Sequence, residues 1–203
     1  RFNGAVTGSD SDTGASGVAA SLGAADDDLT AFSDYGYTSG TADSDGLNIE
    51  GKLGKAAIAI DQGDSAREVV TAVNKASDTT GVTASARTVA RLENWTGTTT
   101  DTGTVAFTLF GSNGAKDTDG VSISANITDW SDFSALAEAV NKETGRTGIS
   151  ARVLNNGALE MVSERGDTIA INDYTATDSN QAAVAAELQS MAFNGDNGID
   201  DAD

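Results

Sequence analysis

The chain contains no cysteine, no histidine and no proline in its 203 residues. Without cysteine there is no disulfide and no thiolate to act as nucleophile or metal ligand. Without histidine, the side chain that most often acts as a general base near neutral pH is missing. Catalytic triads and histidine-ligated metal centres are therefore excluded, and only carboxylate, lysine or tyrosine chemistry remains.

Positive charge is also scarce. The chain has 12 Lys and Arg residues against 31 Asp and Glu residues, which gives a net charge of −19. A surface of this sign repels nucleic acids and anionic membranes, so neither is expected as a partner. Apolar runs are too short to span a bilayer, and the first residues lack the apolar core of a signal peptide. Because residue 1 is not Met, we expect a fragment or a processed product.

Aromatic residues make up only 5% of the chain, so we expect a core of Val, Ile, Leu and Ala. This amount of apolar side chain suits small modules better than one thick core. Residues 5–46 are rich in Gly, Ser, Asp and Ala, which indicates loop or irregular structure. Within them, residues 28–32 are compatible with one helical turn, and Tyr35 and Tyr37 alternate as strand residues do.

The most informative pattern is an internal repeat. Within the stretch 58–86, residues 60–86 align with residues 127–153 without a gap at an offset of 67 positions. Each copy has the pattern of a strand, a helix, a turn and a second strand. The matched pairs are Asn74 and Asn141, Gly81 and Gly148, Val82 and Ile149, and Ala84 and Ala151.

The first copy predicts a complete helical unit. Strands at 47–49 and 56–60 form a hairpin. The helix begins at a capping box of Ser65 and Glu68, and a strand follows at 82–86. The helix is poor in propensity because it contains three valines, so packing must stabilise it. Its apolar stripe consists of Ala66, Val69, Val70 and Val73.

The second copy predicts the same unit with a stronger sheet. Strands are expected at 105–110 and 121–125, and a helix from about Asp132. A hairpin then joins 149–154 to 159–162 across Asn155-Asn156-Gly157, since Asn-Gly is a strong hairpin signal. The helix stripe consists of Phe133, Leu136, Ala137 and Val140, and a last strand is expected at 168–171.

A final amphipathic helix is predicted at about 180–192, with Val184, Leu188 and Met191 on one face. The acidic tail from residue 194 is expected to fray. The fold class is therefore α+β, with two small modules, each a mostly antiparallel sheet with one amphipathic helix packed across it.

Two domain arrangements remain open. In one, the modules follow each other in series. In the other, which we prefer, a distal module at 104–171 is inserted into an inner module. The inner module comprises 1–95 with 172–203, including the first repeat at about 47–92.

These residues resemble the flagellin IN motif over roughly 47–171. In the first copy the resemblance lies in Gly63-Asp64-Ser65, Val73-Asn74 and Thr80-Gly81-Val82-Thr83-Ala84-Ser85. In the second it lies in Val140-Asn141 and Thr147-Gly148-Ile149-Ser150-Ala151. Arg1-Phe2-Asn3-Gly4 is similar to the point where a flagellin leaves its conserved core.

The resemblance implies the outer domains of a flagellin, without the long helices through which flagellins polymerise. It implies an extracellular structural subunit of the bacterial flagellar filament, with other flagellin subunits as partners and O-linked glycans on Ser or Thr. Two alternatives remain: the flagellar cap or a hook-associated protein, and a carbohydrate-binding or adhesin-like module. A carbohydrate platform would have to use Tyr35, Tyr37 or Trp95.

No catalytic, cofactor-binding or metal-binding residue is predicted. The segments Asp43–Gly46 and Asp117–Gly120 resemble parts of calcium loops. The twelfth position of each is Gly54 or Thr128, where an EF-hand requires a bidentate Glu. Solvated acidic turns explain them better.

Two further features concern the surface. Asn94-Trp95-Thr96 and Asn126-Ile127-Thr128 are N-glycosylation sequons, which matter only where the machinery exists. Trp130 is expected to pack at the start of the second helix. Trp95 lies in the polar joint at 93–103, and we interpret it as a plug between the modules rather than an exposed contact.

Overall fold

The computed structural model describes residues 46–60, 64–97, 101–114 and 117–193, together with short strands near the termini. The helices are α1 (Ala66–Lys75), α2 (Ser77–Thr80), α3 (Ser134–Lys142) and α4 (Thr144–Thr147). A 3₁₀ turn spans Asp117–Asp119. The strands are β1 (Phe2–Asn3), β2 (Val6–Gly8), β3 (Ala20–Leu22), β4 (Leu47–Glu50), β5 (Lys55–Ile58), β6 (Ala86–Glu93), β7 (Gly103–Phe110), β8 (Val121–Ile127), β9 (Ser150–Val153), β10 (Leu159–Ser163), β11 (Ile169–Asp178), β12 (Ala186–Phe193) and β13 (Ile199–Asp201).

The strands form two larger sheets and one hairpin. The seven-stranded sheet has the order β13-β12-β6-β10-β9, with β1 added to β6 and β3 to β12. The four-stranded sheet has the order β2-β11-β7-β8, and β4 and β5 form the hairpin. All pairings are antiparallel except those of β1 and β2. The predicted α+β class with mostly antiparallel pairing is confirmed.

The main core joins both sheets through α3. This helix contacts β8 and β9, the outer strands of the two sheets. Phe133, Leu136 and Val140 on its inner side are fully buried. They share one apolar cluster with Phe107 of the four-stranded sheet and Leu159 of the seven-stranded sheet. One helix therefore closes the gap between two sheet edges.

The seven-stranded sheet is buried on both faces at its centre. Ala90 and Met161 are opposite each other and belong to the main core. Their neighbours Val89 and Val162 are also paired, and they pack with Met191 in a second cluster. Because successive side chains of a strand point to opposite faces, this second cluster lies behind the sheet. Strands from both halves of the chain thus share one sheet, while the division into two modules stays a prediction.

The predicted C-terminal helix at about 180–192 is wrong. Residues 186–193 form β12, which pairs with β6 so that Leu188 lies opposite Leu92. The spacing of Val184, Leu188 and Met191 resembles a helical stripe, but Val184 precedes the strand, and Leu188 and Met191 pack in clusters on its two opposite faces. Tertiary pairing with the centre of a sheet here overrides helical propensity.

The predicted strand at 82–86 is also wrong, because the first strand after α2 begins only at Ala86. The backbone of Ala84 is bound by a side chain of α1 and not by a sheet ladder. The expected fraying of the tail from residue 194 is wrong for 199–201, since β13 pairs with β12.

Other local predictions are confirmed. These are the β4–β5 hairpin, the capping box of α1, and the β9–β10 hairpin across Asn155-Asn156-Gly157. The second helix begins at Ser134, two residues later than predicted. The expectations for residues 28–32, Tyr35 and Tyr37 lie outside the described residues.

Candidate functional site

Each repeat contains an amide clamp, which we define as an Asn side chain that binds both backbone polar groups of an Ala ten residues later. In the first copy the Asn74 Oδ1 accepts from the Ala84 N–H at 2.8 Å, and its Nδ2 donates to the Ala84 C=O at 3.1 Å. In the second copy Asn141 makes both bonds to Ala151 at 2.8 Å. The clamp fixes the chain that leaves each helical unit against its helix.

A threonine and a glycine shape the turn inside each clamp. The buried Thr80 hydroxyl donates to the Ala76 C=O (3.0 Å) and accepts from the Val82 N–H (3.1 Å). Gly81 follows with φ +72°, a conformation that favours glycine. In the second copy Thr147 makes the same two bonds, at 3.1 and 3.2 Å. The two copies therefore share these hydrogen bonds as well as their sequence pattern.

In each copy, a loop donates a backbone N–H to the carbonyl oxygen of this turn threonine. The Leu53 N–H, at the tip of the β4–β5 hairpin, donates to the Thr80 C=O at 3.2 Å. The Ser112 N–H, in the β7–β8 loop, donates to the Thr147 C=O at 2.8 Å. Gly51 permits the close approach in the first copy, since a Cβ there would lie 2.0 Å from the Thr80 oxygen.

The two helices begin differently. The α1 start has the full capping box, whereas α3 has Phe133 at its N-cap position with no side-chain cap. Instead, the Asp132 carboxylate accepts from the backbone N–H and the hydroxyl of Ser134, at 2.9 and 2.5 Å. Both bonds favour the charged carboxylate and so hold the pKa of Asp132 below its ordinary value. The bond from the Ser134 hydroxyl has the larger effect and that from the Ser134 N–H the smaller. Ser131 lowers the pKa of Asp129 in the same way.

A buried carboxylate lies at the centre of the seven-stranded sheet. Glu160 is 1% exposed. Its Oε1 accepts from Arg152 Nε at 2.7 Å, and its Oε2 lies 3.4 Å from Arg91 Nε. Arg91 and Arg152 are its register partners on the two flanking strands. Since two guanidinium groups hold it, Glu160 ties three strands together.

A second buried carboxylate fastens the first repeat to the segment between β10 and β11. Asp167 is 2% exposed and pairs with Arg67 Nε of α1 at 3.0 Å and with Arg165 Nε at 3.4 Å. The Arg67 N–H also donates to the Gly166 C=O at 3.1 Å. The first helical turn of α1 is therefore fastened to the loop after β10, so this carboxylate has a structural explanation.

The joint between the repeats is aromatic. Trp95 stacks on Phe133 with ring centres 4.0 Å apart, and Trp130 lies 6.3 Å from Trp95. Trp130 is 4% exposed and Trp95 is half-buried against the main core. The packing of Trp130 at the start of the second helix is confirmed, and Trp95 is packed rather than an exposed contact. Its role as a plug between two modules stays a prediction.

A shallow groove of about 420 Å³ runs along this joint. Its lining combines aromatic rings, side-chain amides and one carboxylate, which suits hydrogen bonding to a polar ligand. The face of Trp95 is already stacked on Phe133, so a flat ligand has little free ring to stack on. The lining residues are Glu93, Asn94, Trp95, Trp130, Ser131, Phe133, Asn155, Asn156, Gly157 and Ala158.

The structure also bears on the metal-binding and membrane-spanning features that were considered in the sequence. Within the described residues no group of three His, Cys, Asp or Glu side chains is placed to hold a metal ion. Of the two calcium-like segments, Asp117–Asp119 forms the 3₁₀ turn, and residues 43–45 lie outside the described part. No helix in that part is long and apolar enough to cross a bilayer.

The two sequons are both exposed but differ in their hydrogen bonds. Asn94 donates from Nδ2 to Glu187 at 2.5 Å, and the Thr96 hydroxyl accepts from the Ala185 N–H at 2.9 Å. Both ends of the first sequon are therefore engaged in the fold. In the second sequon Asn126 and Thr128 are exposed.

Sequence reasoning missed the two buried carboxylates, Glu160 and Asp167. The signal for Glu160 was an acidic residue within the otherwise apolar strand Leu159–Ser163. Arginines occupy the positions that face it on both neighbouring strands, β6 and β9. Asp167 had no such signal, because its partner Arg67 is remote in sequence.

Comparison with known families agrees with this geometry. Residues 46–93 match the flagellin hook IN motif, and this range contains the first hairpin, α1, the first amide clamp and β6. No curated protein matches the chain. The assignment of the second copy to the same family stays a prediction, although its clamp and turn reproduce those of the first. Residues 46–93 are therefore similar to the flagellin hook IN motif in sequence, and the first repeat lies within this range.

Proposed function

We propose that this chain is the solvent-facing outer part of a flagellin subunit in a bacterial flagellar filament. The match of residues 46–93 to the flagellin hook IN motif carries the proposal. The chain then contributes the surface, charge and antigenic face of an extracellular filament. Its partners are other flagellin subunits, and it performs no catalysis.

The geometry supports a scaffold role. The most completely bonded groups of each repeat, Asn74 with Ala84 and Asn141 with Ala151, bind backbone and leave no reactive atom free. The buried charged groups Glu160 and Asp167 are held by arginines. Residues used in this way stabilise a shape and do not turn over a substrate.

The charge also suits an exposed filament surface. A net charge of −19 keeps neighbouring surfaces soluble and discourages non-specific association. In the inserted arrangement that we prefer, 104–171 is the distal module and 1–95 with 172–203 the inner one. O-linked glycans on exposed Ser or Thr remain part of this proposal.

Two other functions compete with this one. The groove beside Trp95 favours a carbohydrate-binding or adhesin-like module, because it combines amides, a carboxylate and aromatic rings. A flagellar cap or hook-associated protein is the other alternative, since the resemblance to the IN motif extends to such axial proteins.

Immunogold electron microscopy with antibodies raised against this chain separates these cases. We expect labelling along the whole length of the flagellar filament. Labelling confined to the distal tip indicates the cap, and labelling at the junction with the hook indicates a hook-associated protein. Labelling on the cell surface without flagella contradicts the proposal. Cells that lack the gene provide the control.

A further inference from the structure

Asparagine followed by glycine occurs five times in the sequence, and in two of these dipeptides both residues lie in the described ranges. They are Asn113-Gly114, in the β7–β8 loop, and Asn156-Gly157, in the β9–β10 turn. Such a dipeptide can lose its side-chain amide without an enzyme, because glycine has no Cβ to hinder attack of its backbone nitrogen on the asparagine carbonyl. The two dipeptides have the same intrinsic chemistry, so their surroundings determine which of them reacts.

Asn113 is held in place by its own loop. Its Oδ1 accepts from the Gly111 N–H at 2.7 Å, and its Nδ2 donates to the carbonyl oxygens of Asp119 and Leu109 at 2.6 and 3.4 Å. The residue is half-buried. The Asp119 carboxylate fills the space beside Gly114, where an added Cβ would clash with it. Ring formation at Asn113 therefore requires three hydrogen bonds to break and the loop to move.

Asn156 lacks the restraints that hold Asn113. It is exposed, and no described residue accepts a hydrogen bond from its Nδ2. An added Cβ at Gly157 would meet its nearest atom, the Ser131 carbonyl oxygen, only at 3.8 Å. The turn also borders the groove beside Trp95, whose volume of about 420 Å³ admits water. A departing ammonia molecule and an entering water molecule therefore have open space.

Two hydrogen bonds act on the reacting atoms of Asn156 and Gly157, in opposite directions. The Ala158 N–H donates to the Asn156 Oδ1 at 3.2 Å, and it stabilises the negative charge that develops on this oxygen when the carbonyl is attacked. The Gly157 N–H donates to the Leu154 C=O at 2.9 Å, and this bond must open before the nitrogen can attack. One backbone bond thus opposes the reaction here, in place of the three side-chain bonds that protect Asn113.

We propose that Asn156 is a site of spontaneous deamidation, with water as the only co-reactant. The Gly157 nitrogen gives its proton to solvent and bonds to the Asn156 Cγ. The Cγ–Nδ2 bond breaks, and the amide nitrogen takes up a proton and leaves as ammonia. Water then adds to either carbonyl of the succinimide ring, and the ring C–N bond at that carbonyl opens. Opening at Cγ gives aspartate, and opening at the backbone carbonyl gives isoaspartate, in which the main chain runs through Cγ.

Both products change the groove. Each replaces the neutral amide of Asn156 with a carboxylate, in a lining that already contains the Glu93 carboxylate. Isoaspartate also extends the main chain by a methylene group within the turn that aligns β9 with β10. This hairpin carries the ion pair of Glu160 with Arg152. The groove therefore becomes more negative as the molecule ages, and the isoaspartate form should be less stable than the unmodified chain.

The test incubates the wild-type chain at mildly alkaline pH, once folded and once in urea, and follows it by tryptic peptide mass spectrometry. Trypsin places Asn156 in peptide 153–165 and Asn113 in peptide 92–116. In the folded chain we expect Asn156 to convert about tenfold faster than Asn113 or more, because two more hydrogen bonds must break at Asn113. In urea the two residues should convert at similar rates. In water labelled with heavy oxygen, the product should carry the label.

Asn156→Gln is the control variant, since a glutamine must close a larger ring and reacts slowly. Its peptide 153–165 should stay unmodified, and conversion that persists there overturns the assignment by indicating Asn155. Two results overturn the inference itself. One is an unreacted Asn156 in the folded chain while the urea sample converts, and the other is equal conversion of Asn113 and Asn156 in the folded chain. Because the reaction requires neither a filament nor a partner, each of these outcomes leaves the proposed function untouched.

Discussion

The side-chain amide of Asn141 binds both the N–H and the C=O of Ala151, ten residues later, with two bonds of 2.8 Å. These two bonds fasten the chain that leaves the helix to the helix itself. Asn74 and Ala84 repeat the arrangement 67 positions earlier. The amide clamp is therefore the feature that most clearly relates the two halves of the molecule.

Replacement of Asn141 by Ala should destabilise the protein more than replacement of Asn74. The bonds of Asn141 are partly buried and those of Asn74 are exposed to solvent. A buried backbone group left without a partner costs about 1–3 kcal/mol. Urea denaturation should show a loss in this range for Asn141→Ala and a smaller one for Asn74→Ala.

Asn141→Asp is the matched variant for this clamp, since it keeps an acceptor for the Ala151 N–H but replaces the donor by a second acceptor oxygen that faces the Ala151 C=O. Its stability at neutral pH should therefore fall below that of the wild type. Equal stability of all three proteins would contradict a structural role for the clamp.

Gly148 and Gly145 should respond oppositely to replacement by Ala. Gly148 has φ +71°, and a Cβ there would also lie 2.7 Å from the Ser112 hydroxyl. The left-handed conformation alone costs Ala about 1–2 kcal/mol. Gly145 is within α4 with no atom within 4 Å of an added Cβ. Thermal unfolding should therefore show a lower Tm for Gly148→Ala and an unchanged or higher Tm for Gly145→Ala. A lowered Tm for both variants would argue against this explanation.

Glu160 takes part in a buried ion pair, whereas Glu164, which is close to it in the chain, takes part in an exposed one. Glu160→Ala leaves Arg91 half-buried beside an empty site, and breaking a buried pair costs about 3–5 kcal/mol. The Glu164 side chain is 70% exposed in its pair with Arg87, and such surface pairs contribute about 0–1 kcal/mol. Denaturant midpoints of the two Ala variants measure the difference. We expect a large shift only for Glu160, and similar shifts would refute the assigned role.

Asp132 should titrate below its ordinary range. The Ser134 hydroxyl is the larger cause of the lowered pKa and the Ser134 N–H the smaller. Because the folded-state pKa is below the unfolded one, the carboxylate stabilises the fold above the unfolded pKa. This contribution is lost as the pH falls through the folded pKa. Carboxyl NMR titration should show the pKa of Asp132 rising toward its ordinary value of 3.8 in Ser134→Ala. An unchanged pKa in that variant would contradict the assigned cause.

Much of the local structure of both repeats could be predicted from sequence because its signals are local. The capping box of Ser65 and Glu68, the glycine at 81 and the hairpin at 155–157 each depend on a few adjacent residues. The internal repeat was visible because the two copies align without a gap. The absence of cysteine and histidine restricted the candidate chemistry in the same direct way.

The remaining features depend on distant pairing. Residues 186–193 have helical spacing, but pairing with β6 makes them a strand. The strand expected at 82–86 begins only at Ala86, where β1 and β10 become available for pairing nearby. Ala151, held by the same kind of clamp as Ala84, does lie in a strand because β10 pairs with it. The ion pair of Arg67 with Asp167 joins residues a hundred positions apart, which no local pattern reveals.

Cryo-electron microscopy of intact flagellar filaments from cells that make this chain tests the central claim most directly. The account predicts that α1 and α3, with the sheets that they contact, fit density on the outer surface of every subunit along the filament shaft. Density for this fold in the filament core, or its absence from the shaft, would contradict the claim.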